Sequence, residues 1–272
     1  MLLAVPNVSE GRDQGAIAAI GDAFGSAARL LDVHSDPDHH RTVFTLAAEP
    51  GALAEAVVLG AREAVAQIDL NAHSGVHPRV GAVDVAPVVH LDDADRGAAI
   101  AEALVLADRL GHELELPVYL YGDLAGGRTR AQLRKPGALD ALEPDFGPPR
   151  RHPTAGAVLV AARRPLVAFN VELAPPATVA DAKRIAAEVR QLPGVVALGV
   201  PLSDGVQVTT NIEDYRATTP AEVVAAVRRH AEVARAELVA MAPAAAFDDF
   251  PADVPMPGFE PSRQLIERAL DA

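Results

Sequence analysis

The chain has 272 residues, half of them hydrophobic, which is room for one large domain or two modest ones with a packed core. Twenty-four Lys and Arg stand against 37 Asp and Glu, a formal net charge of −13, and this excludes the basic face of a general nucleic-acid binder. Cysteine is absent, which excludes disulfides and thiolate-bound zinc.

Residues 1–7 lack the basic segment of a secretory signal and break at Pro6. No apolar run approaches the roughly 18 residues of a membrane span. The expectation is a soluble cytoplasmic protein.

In chain order, residues 2–6 read as a short strand and residues 7–13 as a polar turn, with a helix following to about Phe24. Residues 29–33 are apolar and extended. The polar patch 34–40 then connects to a β-branched and aromatic strand at 42–46. Residues 52–68 repeat apolar side chains at helical spacing, and 80–89 is the next strand. That order is β-α-β-β-α-β, the split βαβ or ferredoxin-like order. A further helix is expected at 95–110 and a strand at 117–121. Residues 122–151, rich in Gly, Pro and charge, read as a long surface excursion.

From Val158 the order begins again, with strands at 158–161 and 166–171. Thr178 opens a helix with Asp181 three residues on, and Gly194 follows it. A hairpin joins 195–200 to 206–211 through Ser203-Asp204-Gly205. Thr219-Pro220-Ala221-Glu222 is a capping box that opens a helix expected to reach about Ala234. A strand at 238–241 closes the second set. Residues 247–261 read as a Pro-rich extension and 262–270 as a terminal helix. The expected fold is therefore α+β: two related lobes, 1–157 and 158–272, packed together with a ligand cleft between them.

Chemistry concentrates at residues 73–84, where His73, His77, Arg79 and Asp84 are punctuated by Gly75, Pro78 and Gly81. A basic ring nitrogen, a fixed cation and a carboxylate make up the inventory of an acid–base site for an anionic substrate. His77, between a glycine-flexed turn and a proline, is the first candidate base; the alternative is a structural histidine bonded to a backbone carbonyl. His73 and His77 are four apart, but Gly75 and Pro78 disfavour the helix that would let them share a metal, and no H-E-x-x-H pattern is present. The patch Asp36-Pro37-Asp38-His39-His40 could bind metal or be a solvated turn with Asx hydrogen bonds. Arg41, next to that patch, leads directly into an apolar strand. Arg150-Arg151-His152 and Arg163-Arg164 could hold carboxylates or be solvated charges near turns. Asn170 and Asn211 are amides in apolar strands, hence core hydrogen bonds or cleft contacts. Phosphate-binding G-x-G-x-x-G and Walker patterns are absent from the sequence.

Val5-Pro6-Asn7-Val8-Ser9-Glu10-Gly11 resembles the Val-Pro-Asn-Phe-Ser-Glu-Gly opening of glutamate formiminotransferases. Asp32-Val33 through Arg41-Thr42-Val43-Phe44-Thr45 resembles that family's second block, and His77-Pro78-Arg79-Val80-Gly81-Ala82-Val83-Asp84-Val85 its His-Pro-Arg signature. Pro117-Val118-Tyr119-Leu120-Tyr121-Gly122, Pro144-Asp145-Phe146-Gly147-Pro148 and Ala168-Phe169-Asn170 follow in the family's order, so that the likeness covers most of residues 1–215.

The resemblance implies formimino transfer from N-formimino-L-glutamate to tetrahydrofolate as co-substrate, with no metal. It implies two ferredoxin-like subdomains with a folate tunnel between them, a homodimer, and no fused cyclodeaminase. The family's catalytic histidine falls on His77. Its folate-contacting stretch falls on Gly147, Pro148, Pro149, Arg150, Arg151, His152, Pro153, Thr154, Ala155 and Gly156. Arg41, Arg79 and the Arg150-Arg151 pair are candidates for substrate carboxylates, and His34 and Asn170 complete the expected binding set. Two departures stand out. Ser74-Gly75-Val76 replaces the family's Lys-Gly-Glu, and His34 stands where an aspartate is common. They keep two alternatives open, formyl transfer between 5-formyltetrahydrofolate and glutamate and a non-catalytic folate-binding homologue; a third reading, from the side chains themselves, is a metal-dependent hydrolase using His73, His77 and residues 36–40.

Overall fold

The first apolar run forms β1, Leu2–Ala4, and the chain resumes as β2, Asn7–Val8. The interruption falls at Pro6, which has no N–H to give to the ladder. The protein is seen in a computed structural model that describes residues 1–74 and 79–272. It is an α+β protein with two sheets and divides into two units, Met1–Arg163 and Arg164–Ala272.

In the first unit, α1 (Gln14–Gly25) starts at Asp13, whose carboxylate accepts from the N–H groups of Gly15 and Ala16. β3 (Arg29–Asp36) and β4 (Arg41–Ala48) form a hairpin, followed by α2 (Leu53–Gln67) and β5 (Val83–His90). Around the broken β1–β2 strand the sheet runs β3, β4, β1/β2, β5, which is the expected β-α-β-β-α-β pairing. Then α3 (Arg96–Glu113) leads to β6 (Val118–Leu120), and after a long connection comes β7 (Val158–Arg163). β7 lies parallel between β5 and β6, with Val85 opposite Leu159 and Val118 opposite Val158. The second lobe therefore does not begin at Val158, as the sequence reading had it. This strand hydrogen-bonds into the first sheet, and the division between units falls six residues later.

Alternation along the strands sorts the first sheet into two faces. Leu2, Phe44, Leu46, Val88 and Val160 pack with Phe24, Leu106 and Leu110 of the helices. Val85, Tyr119, Tyr121 and Leu159 form a separate cluster with Leu133 and Leu139. Those two leucines belong to the segment expected to be a surface excursion. A short helix there, α4 (Arg130–Leu133), has a capping box at Thr129 and Gln132 and helps to seat the segment on the sheet.

The second unit repeats the plan: β8 (Val167–Leu173), α5 (Val179–Val189), β9 (Val195–Pro201), β10 (Val206–Ile212), α6 (Pro220–Arg228) and β11 (Val233–Val239), in sheet order β11-β8-β10-β9. Both helices open on the capping boxes read from Thr178 and Thr219. α6 stops at Arg228, six residues short of expectation, because Val233–Val239 is drawn into antiparallel pairing with β8. Tertiary pairing here overrides a helical run of Ala, Val and Arg. The Pro-rich extension is also no loose tail: Phe247 and Phe250 lie edge-on to Phe169 at 6.2 and 5.7 Å, and Phe259 stacks on Phe247 at 5.4 Å. The chain ends in α7 (Pro261–Gln264) and α8 (Ile266–Asp271).

α2 has no cap of its own, since Ala52 occupies the N-cap position. Glu102 of α3, only 6% exposed, replaces it by accepting from the N–H groups of Gly51 (2.6 Å) and Ala54 (2.7 Å). Glu102→Ala leaves the buried Ala54 N–H and the neighbouring Gly51 N–H at a helix N-terminus without their carboxylate. The expected cost is about 2–3 kcal/mol, read as a lower urea midpoint at unchanged slope. A midpoint within experimental error of the parent would show that the cap carries no such load.

Candidate functional site

The chemistry read from the sequence converges on one end of the first sheet. Asp36 closes β3 opposite Arg41, which opens β4. Asp36 Oδ1 accepts from the N–H groups of Asp38 and His39, both at 2.9 Å, and Oδ2 meets His39 Nδ1 at 2.5 Å. Burial pushes the Asp36 carboxyl up, but the bonds to His39 outweigh it and bring the pKa to about 2. The turn has the expected Asx bonds, yet it is not simply solvated, since His39 is only 6% exposed.

The β2–α1 turn packs against this hairpin through Gly11. A Cβ there would lie 2.3 Å from the Asp36 carbonyl oxygen and 2.6 Å from the Arg41 nitrogen, so only glycine permits the approach. Next to it, Glu10 Oε1 accepts from the N–H groups of Gly11, Arg12 and Asp13 at 2.7–3.0 Å. Burial raises the Glu10 pKa, but these N–H bonds and His40 outweigh it and hold the carboxyl below its ordinary value. Gly11 N–H also donates to His40 Nδ1 at 3.1 Å, which makes that nitrogen an acceptor. His40 takes this position with φ of +52°, in the left-handed region that a non-glycine residue occupies only when its surroundings fix it.

His40 stacks on His73 with ring centroids 4.0 Å apart. Arg79 Nη1 lies against the His73 ring, 2.7 Å from Nε2. Burial lowers the His73 pKa, and the charges of Arg79 and His40 lower it further, to about 4. Burial likewise lowers that of His40; Glu10 opposes the shift, while Arg12 and Arg79 reinforce it. Both rings are thus neutral near pH 7, and acceptor nitrogens stand beside fixed cations.

Behind them lies Asp84, 1% exposed. Its Oδ1 accepts from Val80 N–H at 2.6 Å, and its Oδ2 pairs with Arg134 Nη2. Burial lowers the Arg41 pKa. Asp84 and Asp36 oppose that shift, and Arg134 and Arg130 add to it. Arg79 is depressed by burial and by Arg12, again with Asp84 opposing. One buried carboxylate therefore serves several guanidiniums.

The expected folate-contacting stretch adjoins the same place. Within it, His152 and Gly156 exchange backbone hydrogen bonds at 2.8 and 3.0 Å, and His152 Nδ1 accepts from Ala155 N–H at 3.0 Å. Gly156, at φ of +70°, bridges Gly81; a Cβ there would lie 2.3 Å from the Val80 carbonyl oxygen. Leu70 N–H donates to Thr154 O at 2.9 Å, and Asn71 Nδ2 to Pro153 O at 3.1 Å. Residues 152–156 thus meet the chain at Leu70 and Asn71 and again at Val80 and Gly81. Gly147, Pro149, Arg150 and Arg151 are exposed and Pro148 is half-buried; Arg151 pairs with Asp140 at 2.9 Å.

His77, with Gly75, Val76 and Pro78, lies outside the described residues. His34 is half-buried on β3, opposite Val43. Asn170 belongs to the second unit, where its Nδ2 donates to Glu237 Oε2 at 3.0 Å across to β11. Among the described residues no group of three or more His, Asp or Glu is placed to hold a metal ion. Sequence reasoning missed Glu10 as a charge at the site, together with Tyr121, Arg130 and Arg134. The signal was there: Arg128, Arg130 and Arg134 fall within seven residues of an acidic chain.

Residues 1–163 match the family described as formiminotransferase domain, N-terminal subdomain. The glutamate formimidoyltransferase of Thermoplasma acidophilum is 35% identical over 97% of this chain and 89% of its own length. That of Streptococcus pyogenes serotype M1 is 37% identical over 62% of this chain and 61% of its own. The formimidoyltransferase-cyclodeaminase of Rattus norvegicus is 34% identical over 90% of this chain, which spans half of that longer protein. With the family matched over residues 1–163 and a relative aligned along nearly its whole length, this chain belongs to the formiminotransferase family.

Proposed function

We propose that the protein transfers a formimino group from N-formimino-L-glutamate to tetrahydrofolate, giving 5-formiminotetrahydrofolate and L-glutamate. What carries the reading is the cluster of Arg41, Arg79 and Arg134 around the buried carboxylate of Asp84, in a family whose members include glutamate formimidoyltransferases. Such a cluster suits a substrate rich in carboxylates. On this reading each unit is a ferredoxin-like subdomain, tetrahydrofolate is the co-substrate, no metal takes part, and the working protein is a cytoplasmic homodimer.

The formimino carbon is an amidine carbon, electrophilic when the amidine is protonated. The folate ring amine attacks it, and the tetrahedral intermediate carries an excess proton on the attacking nitrogen. His77 takes that proton and returns it to the glutamate nitrogen as the carbon–nitrogen bond to glutamate breaks. A positioned base of this kind contributes roughly 10²- to 10⁴-fold. Holding two substrates in register supplies the rest. His152 to Gly156 border the folate, and Arg150, Arg151, His34 and Asn170 are assigned to binding.

A cationic amidine wants a carboxylate nearby, and Val76 and His34 stand where the family pattern has acidic residues. Glu10 supplies one here, held ionised by three backbone N–H groups. That favours the formimino donor over the neutral formyl group of 5-formyltetrahydrofolate.

The decisive assay mixes tetrahydrofolate with N-formimino-L-glutamate after chelator treatment and reads the methenyl chromophore formed in acid. Wild type should turn over, and His77→Ala should lose at least about a hundredfold in kcat. A folded wild type that binds tetrahydrofolate yet yields no chromophore would sink the formimino reading.

The histidine stack adds a pH signature. With the folded pKa of His73 near 4 and an ordinary value of 6.5, the unfolded chain binds the proton first, so stability is full above pH 6.5 and is lost as pH falls toward 4. In His73→Gln the melting temperature should decline less across that window, with little difference from wild type at pH 7.5. Parallel curves for the two proteins would refute it.

A further inference from the structure

We propose that Tyr121, Arg130 and Arg134, together with Arg41, form a carboxylate subsite on the side of the first sheet that carries Tyr121 and Leu159. Tyr121 is 6% exposed, and its hydroxyl has no hydrogen-bond partner among the described residues. Arg134 Nε is likewise buried without an acceptor among them, although the same guanidinium pairs with Asp84 through Nη2. Two buried donors left in this state are costly, and they cost less when an acceptor completes them.

Both donors sit in one neighbourhood. Tyr121 packs in the cluster that holds Leu133, the residue before Arg134. The Arg130 guanidinium carbon lies 5.8 Å from the centre of the Tyr121 ring. Arg130 opens α4 and Arg134 caps its end, one helical turn apart and joined by Arg134 N–H to Arg130 O at 3.0 Å, so the two side chains are neighbours. Arg41 belongs to the same set of charges, with Asp84 and Asp36 as the carboxylates that act on it. Three guanidiniums are gathered here in a chain whose net charge is −13. A planar anion that accepts from two guanidiniums and a phenol fits this donor set, and a carboxylate is such a group.

The source of that carboxylate rests on the formiminotransferase reading. It is either the amino-acid donor or the glutamate tail of the folate, and the two are separable. Arg134→Gln is a poor probe because it strands Asp84, so Arg130→Gln and Tyr121→Phe are used. The first arm follows thermal stabilisation of the full chain by L-glutamate, with L-glutamine as the isostere that lacks the side-chain charge. Wild type should be stabilised by L-glutamate far more than by L-glutamine. Arg130→Gln should weaken L-glutamate binding about tenfold or more, and Tyr121→Phe roughly two- to tenfold. The second arm is kinetic. A rise in KM for formiminoglutamate alone assigns the subsite to the donor. A rise for tetrahydrofolate but not for tetrahydropteroate, which lacks the glutamate tail, assigns it to the folate.

Equal stabilisation by L-glutamate and L-glutamine, or variants within twofold of wild type in both arms, overturns the subsite. If wild type shows no turnover, the formimino reading fails by itself. The L-glutamate against L-glutamine comparison in wild type and Arg130→Gln then decides the subsite alone.

Discussion

The first unit depends on a buried carboxylate at the start of a strand. Asp84 is 1% exposed and would be expensive to bury as an anion were it not held by Val80 N–H and Arg134. With that pair made, the carboxylate becomes a fixed negative charge around which Arg41 and Arg79 can be brought out of water. The Val80 N–H bond also ties the charge to the backbone beside Gly81 and Gly156, where two chain segments meet with no room for a Cβ. Charge placement and backbone packing are therefore one constraint, and neither segment can move without disturbing Asp84.

A second constraint stands across the site. Gly11 lets the β2–α1 turn touch the β3–β4 hairpin, and its N–H is shared by Glu10 and His40. The left-handed backbone of His40 follows, and with it the orientation of a ring that stacks on His73. Strain of this kind persists only where neighbours over-determine it. Here they do so from two directions, through the Gly11 N–H bond and the His73 ring.

Much of this was legible in the sequence. Period-two and helical apolar patterns placed nearly every element, and the Thr178 and Thr219 caps fixed two helix starts to the residue. The cluster of Arg41, Arg79 and Asp84 was visible because those residues sit next to apolar strands. What escaped were features set by long-range pairing. Val158–Arg163 reads equally well as the first strand of a new lobe or the last of an old one, and only its parallel partners decide. Val233 onward looks helical until β8 is there to pair with it. The segment 122–151 hid Arg130 and Arg134 because Gly, Pro and charge suggest solvent, whereas Leu133 and Leu139 anchor it to the sheet. Glu10 was overlooked as a charge at the site because its role comes from folding next to His40, 30 residues away.

The distribution of charge bears on recognition. A chain of net charge −13 repels anions at long range, so a carboxylate-rich substrate gains nothing from steering by the whole molecule. For such a substrate, attraction would have to come from short-range contacts where cations are concentrated, as they are around Asp84. There the neutral state of His40 and His73 matters as much as the arginines. A protonated ring beside Arg79 would add a second cation and remove an acceptor, and burial together with the neighbouring guanidiniums keeps both rings uncharged. The arginines thus hold their charge while the histidines keep lone pairs, so fixed cations and neutral acceptor nitrogens stand side by side.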